Sequence, residues 1–186
     1  MDILEYVNDP TNRGIIWIVG EKGNEGKTFF SHKIEEQYGV LRVFQMELDE
    51  SARDILYIMK KYVYIETDIF LFDIPRSMCL SREHYELFDS IKYGSATAMN
   101  NKTVNMRFTT PNVVMVFSPH EPDREKLSGD KWTILKISED LTGLTDITNL
   151  VKNNNKKIEN ESDDKVTTKT YNWQSDSDHG YDDDCF

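Results

Sequence analysis

Apolar residues along this chain follow two rhythms. Ile15-Ile16-Trp17-Ile18-Val19 is an unbroken apolar run between Gly14 and Gly20, which predicts a short strand buried on both faces. Phe30, Ile34 and Tyr38 then recur at helical spacing up to Gly39, a residue suited to the left-handed C-terminus of a helix. Residues 40–44 predict a second strand, and Ile55, Ile58 and Met59 predict a helix after Ser51. Ile69-Phe70-Leu71-Phe72 reads as another buried strand. Ser81 is placed to cap a helix in which His84, Leu87, Phe88 and Ile91 share a face before Gly94. Residues 103–108 suit one arm of a hairpin, and residues 113–117 and Trp132–Ile137 suit two more strands. Strands alternating with helices predict an α/β fold whose mostly parallel sheet is flanked by helices. Ligands in that architecture sit off the carboxyl ends of the strands.

The pattern stops near Asn149. Asn153-Asn154-Asn155-Lys156-Lys157, Ser162-Asp163-Asp164 and Asp182-Asp183-Asp184 show no apolar period. Such a stretch buries too little apolar area to offset its ordering entropy, so residues 149–186 are expected to form an acidic disordered tail. The expected organisation is a lead at 1–13, one domain at 14–148, and that tail.

Composition sharpens the division. The 186 residues are 38% hydrophobic, enough for a core, and carry a formal charge of −11. Residues 159–186 supply −7 of it, leaving −4 for the rest. A mildly acidic body argues against non-specific coating of duplex DNA, for which a basic surface supplies most of the affinity. No apolar run approaches the roughly 20 residues that span a bilayer, and the acidic start Met1-Asp2-Ile3-Leu4-Glu5 is unlike a secretory signal. Two cysteines, Cys79 and Cys185, make no disulfide framework and point to a reducing compartment.

The chemistry concentrates where the first strand ends, at Gly20-Glu21-Lys22-Gly23-Asn24-Glu25-Gly26-Lys27-Thr28. Glycines there let consecutive N–H groups converge on phosphate oxygens, and the following helix adds its positive end. In that role Gly20, Gly23, Asn24, Glu25, Gly26, Lys27 and Thr28 form the nucleotide loop, with Lys27 on the β- and γ-phosphates and the Thr28 hydroxyl on Mg²⁺. The loop is one residue longer than the usual spacing. Asp73, closing the third strand, is placed to hold Mg²⁺. Its follower is Ile74, where many such ATPases carry a second acid that polarises the attacking water. Ser118 and His120, after residues 113–117, are candidates to sense the γ-phosphate. Lys131 is a lone cation ahead of Trp132, able to reach a neighbouring subunit's nucleotide.

Gly23-Asn24-Glu25-Gly26-Lys27-Thr28, Phe72-Asp73-Ile74-Pro75-Arg76, Arg107-Phe108-Thr109-Thr110-Pro111-Asn112 and Leu127-Ser128-Gly129-Asp130-Lys131-Trp132 occur in an order that resembles the superfamily 3 helicase domain. More narrowly, residues 13–138 are similar to the replication-associated proteins of circular single-stranded DNA viruses of the nanovirus and circovirus type. The resemblance implies a P-loop NTPase fold, ATP and Mg²⁺ as cofactors, a homo-oligomeric ring, and single-stranded DNA or RNA as partner. It also implies an intracellular location in the host nucleus. It assigns Lys27, Asp73, Ser118 and Lys131 to catalysis and Thr28 and Asp73 to the metal. Residues 85–107 become the region of a channel-facing hairpin, with Lys92, Lys102 and Arg107 as nucleic-acid contacts.

Four departures qualify these expectations. Pro119 stands where the family usually has Asn, removing a sensor amide. Lys131 stands where it usually has Arg, and lysine lacks the bidentate fork. An arginine finger is worth about 10³–10⁵ in rate. The family's nicking domain, with its His-apolar-His pair, is not expected here, since His32, His84, His120 and His179 form no such pair. A short lead leaves little of the segment that helps rings assemble. The readings are therefore an ATP-driven helicase module, a nucleotide-binding module with little turnover, or a nucleotide kinase. The last is disfavoured because no arginine cluster could form its lid.

Overall fold

The computed structural model describes residues 14–98, 104–108, 112–138, 143–149 and 170–172. The strands are β1 (Ile15–Val19), β2 (Val43–Glu47), β3 (Ile69–Asp73), β4 (Ser95–Ala98), β5 (Val104–Arg107), β6 (Val113–Ser118), β7 (Trp132–Ile137), β8 (Gly143–Asp146) and β9 (Thr170–Asn172). The helices are α1 (Lys27–Tyr38), α2 (Ala52–Tyr62) and α3 (Arg82–Lys92), with a 3-10 turn at Gly129–Lys131.

One seven-stranded sheet has the order β2-β3-β6-β1-β7-β8-β9. Its first five strands run parallel, and β8 and β9 continue it antiparallel. β4 and β5 form a separate antiparallel hairpin, in register from Ser95–Arg107 to Ala98–Val104.

The chain leaves β1 for the far edge at β2, then walks back through β3 and β6 and crosses β1 to reach β7. Crossovers of one hand that travel in opposite directions must lie on opposite faces. So they do: Phe30 and Ile34 of α1 pack with Ile16, Ile18, Leu71, Met115 and Phe117. Ile55 and Met59 of α2 and Tyr85 and Phe88 of α3 pack with Trp17, Phe70, Phe72, Val114 and Val116 on the other face. The strands β1, β3 and β6 are buried almost throughout because both faces are covered. The carboxyl ends of β1 and β6 mark the point where the route reverses, the place for a ligand crevice. This is a mixed α/β architecture with a mostly parallel sheet and flanking helices, compatible with a P-loop-like fold. Among the described residues, no helix is long and apolar enough to cross a membrane.

Two expectations change. The second strand lies at 43–47, not 40–44. Gly39 ends α1 with φ of 88°, and its carbonyl then accepts from both Arg42 N and Val43 N. Residues 40–42 are thereby spent on a turn, which leaves Val40 and Leu41 exposed. Within the stretch expected to be a disordered tail, Thr170–Asn172 instead pairs with β8. The open edge of β8 offers backbone partners that composition alone does not reveal. The rest of that stretch beyond Asn149 lies outside the described residues.

Helix caps agree with the sequence. Ser51 accepts from Asp54 N at the start of α2. At α3, Ser81 and His84 make a reciprocal capping box, and His84 Nε2 also meets the carbonyl of Glu50 at 3.0 Å.

Candidate functional site

The loop from Gly20 to Lys27 leaves β1 at the reversal point. Gly20 N donates to the Ser118 carbonyl at 2.8 Å, so the loop starts tied to β6. Asn24 and Gly26 both have left-handed backbones, with φ of 61° and 81°. Left-handed residues between ordinary ones turn successive N–H groups to one side, which is the geometry of an anion nest. Gly26 is also the N-cap of α1, and its side-chain-free position leaves the first N–H groups of that helix open to a ligand.

Lys27 is the first residue of α1 and folds back over the loop. Its Nζ donates to the Gly20 carbonyl at 3.1 Å and contacts Glu25 Oε2 at 3.1 Å. Glu25 Oε1 accepts from Lys22 N at 2.9 Å. The Glu25 carboxylate, whose side chain is only 6% exposed, therefore lies inside the loop beside the lysine. A Cβ on Gly20 would collide with that carboxylate and come within 2.6 Å of Lys27 Nζ. Glu25, expected as one of the phosphate-binding loop residues, thus turns an anion into the cradle. Thr28, the next residue of α1, is exposed.

Asp73 ends β3 with β6 between it and β1. Burial pushes its carboxyl above the ordinary carboxylate value, Lys27 pulls it down, and Glu47 pushes it up again. Lys27 and Asp73 are therefore within electrostatic reach of each other, as the sequence expected. Glu47 was not anticipated. It is the in-register partner of Asp73 across β2 and β3.

Ser118 is buried, and its Oγ accepts from His120 N at 3.1 Å. The His120 carbonyl accepts from Trp17 Nε1 at 2.8 Å, while its side chain is exposed. Both residues stand at the carboxyl end of β6, next to the loop. Arg76 closes the segment Phe72-Asp73-Ile74-Pro75-Arg76. Its Nη2 donates to the Glu21 carbonyl at 2.6 Å, joining the segment after Asp73 to the loop. On the other side, Lys136 Nζ donates to Glu21 Oε1 at 2.7 Å, and this contact holds the Glu21 carboxyl below its ordinary value.

Lys131 is elsewhere. It precedes β7, whose first residue pairs with the first residue of β1, so it sits at the amino end of the sheet, opposite the loop. Its Nζ donates to Asp89 Oδ2 at 2.6 Å and lies 5.0 Å from the centre of the Tyr93 ring. The Asp89 contact raises its pKa. Lys92 ends α3, and Arg107 is exposed at the base of the β4–β5 hairpin. Lys102 lies outside the described residues.

A magnesium ion of a nucleotide site takes hard oxygen ligands, usually one or two from protein and the rest from phosphates and water. A hydroxyl at Thr28 and a carboxylate at Asp73 suit that donor set. Among the described residues, no group of three or more His, Cys, Asp or Glu forms a closed metal cage.

No family model matches the chain. Two curated relatives are Para-Rep C2 of Subterranean clover stunt C2 alphasatellite and Para-Rep C1 of Faba bean necrotic yellows C11 alphasatellite. Each is 27% identical over 128 residues, which cover 68% of this chain and 42% of the relative. The chain thus spans about two-fifths of the length of the relatives it matches, and it is distantly related to alphasatellite Rep proteins.

Proposed function

We propose that this chain is the ATP-binding helicase module of a viral-type replication-associated protein, coupling ATP hydrolysis to movement along single-stranded nucleic acid. The observation that carries the reading is the loop. A buried strand runs into a nest with two left-handed residues, then into a helix whose first residue is Lys27, with Asp73 in electrostatic reach. The strand order and the distant relatedness to Rep proteins support the same reading.

In this reading the N–H groups of residues 23–28 receive the phosphates, and Lys27 exchanges its contacts with Glu25 and Gly20 for phosphate oxygens. Thr28 and Asp73 hold Mg²⁺, which when bound neutralises charge on the transferring phosphoryl group. Ser118 and His120 border the same crevice. Lys131 lies at the far end of the sheet, so it acts only on the nucleotide of a neighbouring subunit in a head-to-tail homo-oligomer. Lys92, Lys102 and Arg107 contact single-stranded DNA or RNA, in the host nucleus. The ATPase domain spans 14–148.

A second reading, a nucleotide-binding module with little turnover, draws on two observations: Pro119 replaces a sensor amide, and Lys131 is held by Asp89 of its own chain. Titration of Mg-ATP by calorimetry tests the site: Lys27→Ala is expected to abolish binding that the parent chain shows. Unchanged affinity in that variant refutes the loop assignment. Steady-state ATPase with and without single-stranded DNA separates the two readings, since stimulation by DNA excludes the second.

A further inference from the structure

The residue after Asp73 cannot supply the second carboxylate that hydrolysis needs. Phe72 and Ile74 both pack into the core on the α2–α3 face, and Ile74 N donates to the Phe117 carbonyl at 2.8 Å. By strand alternation Asp73 alone of the three faces the α1 side. An acid at position 74 would point into the core, away from Lys27.

The neighbouring strand presents one in the right direction. Met46 and Leu48 pack on the α2–α3 face, so Glu47 between them faces the α1 side with Asp73. Glu47 and Asp73 are in-register partners of a parallel pair. Leu48 is fully buried, and its N donates to the Asp73 carbonyl at 2.8 Å. That bond pins the end of β2 to the end of β3 and fixes where Glu47 emerges. Of the other carboxylates of the crevice, Glu21 is engaged by Lys136, and Glu25 is held into the loop by Lys22 N, which donates to its Oε1 at 2.9 Å whether or not Lys27 turns to phosphate.

We infer that Glu47 is a catalytic residue, the carboxylate that aligns and deprotonates the water attacking the γ-phosphate, a task moved from the Asp73 strand to the strand beside it. The inference rests on the nucleotide reading above. In the step it serves, the water oxygen bonds to the γ-phosphorus as the bond from that phosphorus to the β–γ bridging oxygen breaks. The bonding pair leaves on ADP, the water proton passes to the Glu47 carboxylate and then to solvent, and inorganic phosphate is released. Asp73, on the metal, and Glu47, on the water, thereby divide two roles between two strands.

The test compares the full chain with Glu47→Gln, Glu47→Asp and, as control, Asp49→Asn from the adjoining loop. Each is measured for Mg-ATP affinity by calorimetry and for phosphate release with single-stranded DNA. Glu47→Gln is expected to bind Mg-ATP within about twofold of the parent and to lose about 10²–10⁴-fold in turnover. Glu47→Asp, which keeps the acid on a shorter arm, should fall between, and Asp49→Asn should match the parent. A Glu47→Gln protein that binds and hydrolyses like the parent overturns the inference and leaves the nucleotide site standing. A parent that binds Mg-ATP but releases no phosphate with DNA also overturns it. A parent that binds no nucleotide overturns both, and is recognised by the absence of any titration heat before a variant is made. Glu47 is exposed at a strand end, so the Gln variant should keep the parent's thermal midpoint; should it unfold instead, full turnover in Glu47→Asp overturns the inference and graded loss supports it.

Discussion

Replacing Glu25 by Gln is expected to tighten nucleotide binding while loosening the empty protein. The Lys27–Glu25 contact is 3.1 Å long, with side chains 19% and 6% exposed, so it is not an ordinary surface pair. A covered pair exceeds the roughly 0–1 kcal/mol of an exposed one, and since a glutamine amide still accepts from the charged lysine, the substitution removes only the ionic part, about 1–1.5 kcal/mol. Gln keeps an oxygen for the Lys22 N–H and loses the charge. The empty loop should therefore lose about 1–1.5 kcal/mol, and the thermal midpoint should fall by about 2–4 °C for each kcal/mol. On the proposed reading Lys27 leaves Glu25 for phosphate when nucleotide binds, so the substitution should remove little from the bound protein. The thermodynamic cycle then returns the loss as affinity, about five- to tenfold tighter for Mg-ATP. Removing an anion beside the phosphates acts in the same direction. Calorimetric titration and thermal melts on both proteins read the two halves of the cycle. A Gln variant with a lowered midpoint and unchanged or weaker ATP affinity would refute the idea that Glu25 competes with the ligand.

Three further expectations use other contacts. Burial holds the Asp73 carboxyl above its ordinary value, so the folded state binds that proton more tightly than the unfolded one. The sign is that of a stabilising contribution present at acid pH and lost as pH rises through the raised value. Asp73→Asn should raise stability at neutral pH, by at most about 1 kcal/mol after allowance for partial exposure. It should also abolish the Mg²⁺-dependent part of nucleotide binding, as melts and titrations with and without magnesium would show. Lys131→Ala should cost about 1 kcal/mol in urea unfolding because it leaves the partly covered Asp89 without its 2.6 Å partner. Lys131→Arg should cost less, and a stability loss as large as that of Ala would count against the pair. Ser81→Ala should cost about 1 kcal/mol by opening the capping box of α3, readable in the same unfolding assay; no change would mean His84 and Glu50 hold that corner unaided.

The sequence made legible whatever depends on local rhythm or on a residue type with few uses. Ile15–Val19 and Trp132–Ile137 read as strands because fully covered strands carry continuous apolar runs. The glycine-rich turn from Gly20 to Gly26 read as a strand–helix junction, and the structure has it there, with Gly26 capping the helix that starts at Lys27. The hairpin arm near 104–107 was visible, but its partner Ser95–Ala98 carries small polar and apolar residues that announce nothing. Glu47 was hidden by a boundary error of three residues. With the second strand placed at 40–44, Glu47 falls in a loop; with the turn at 39–42 accounted for, it becomes a strand-terminal acid like Asp73. Register cannot be read from one strand alone, so the pairing of these two carboxylates had no sequence signal. Arg76 and Glu25 were visible as letters, but their partners, the Glu21 carbonyl and Lys27 Nζ, come from the way the loop folds.

The ion pairs around this crevice share a pattern with a mechanistic consequence. Lys27 is held by Glu25, Glu21 by Lys136, and Lys131 at the opposite pole by Asp89. The two cations that the nucleotide reading places on phosphate, Lys27 and Lys131, are thus each paired with a carboxylate of their own chain. A triphosphate carries enough charge to replace Glu25 at Lys27 locally. No ligand at the carboxyl end of the sheet can reach Lys131, because the length of β7 intervenes. Within the proposed reading, releasing Lys131 from Asp89 therefore falls to a second body at the amino end of the sheet, the place that reading gives to a neighbouring subunit's nucleotide. On the proposed nucleotide reading, affinity should then be a property of the single chain and turnover a property of the assembly, so ATPase rate per chain should rise with protein concentration while Mg-ATP affinity stays constant.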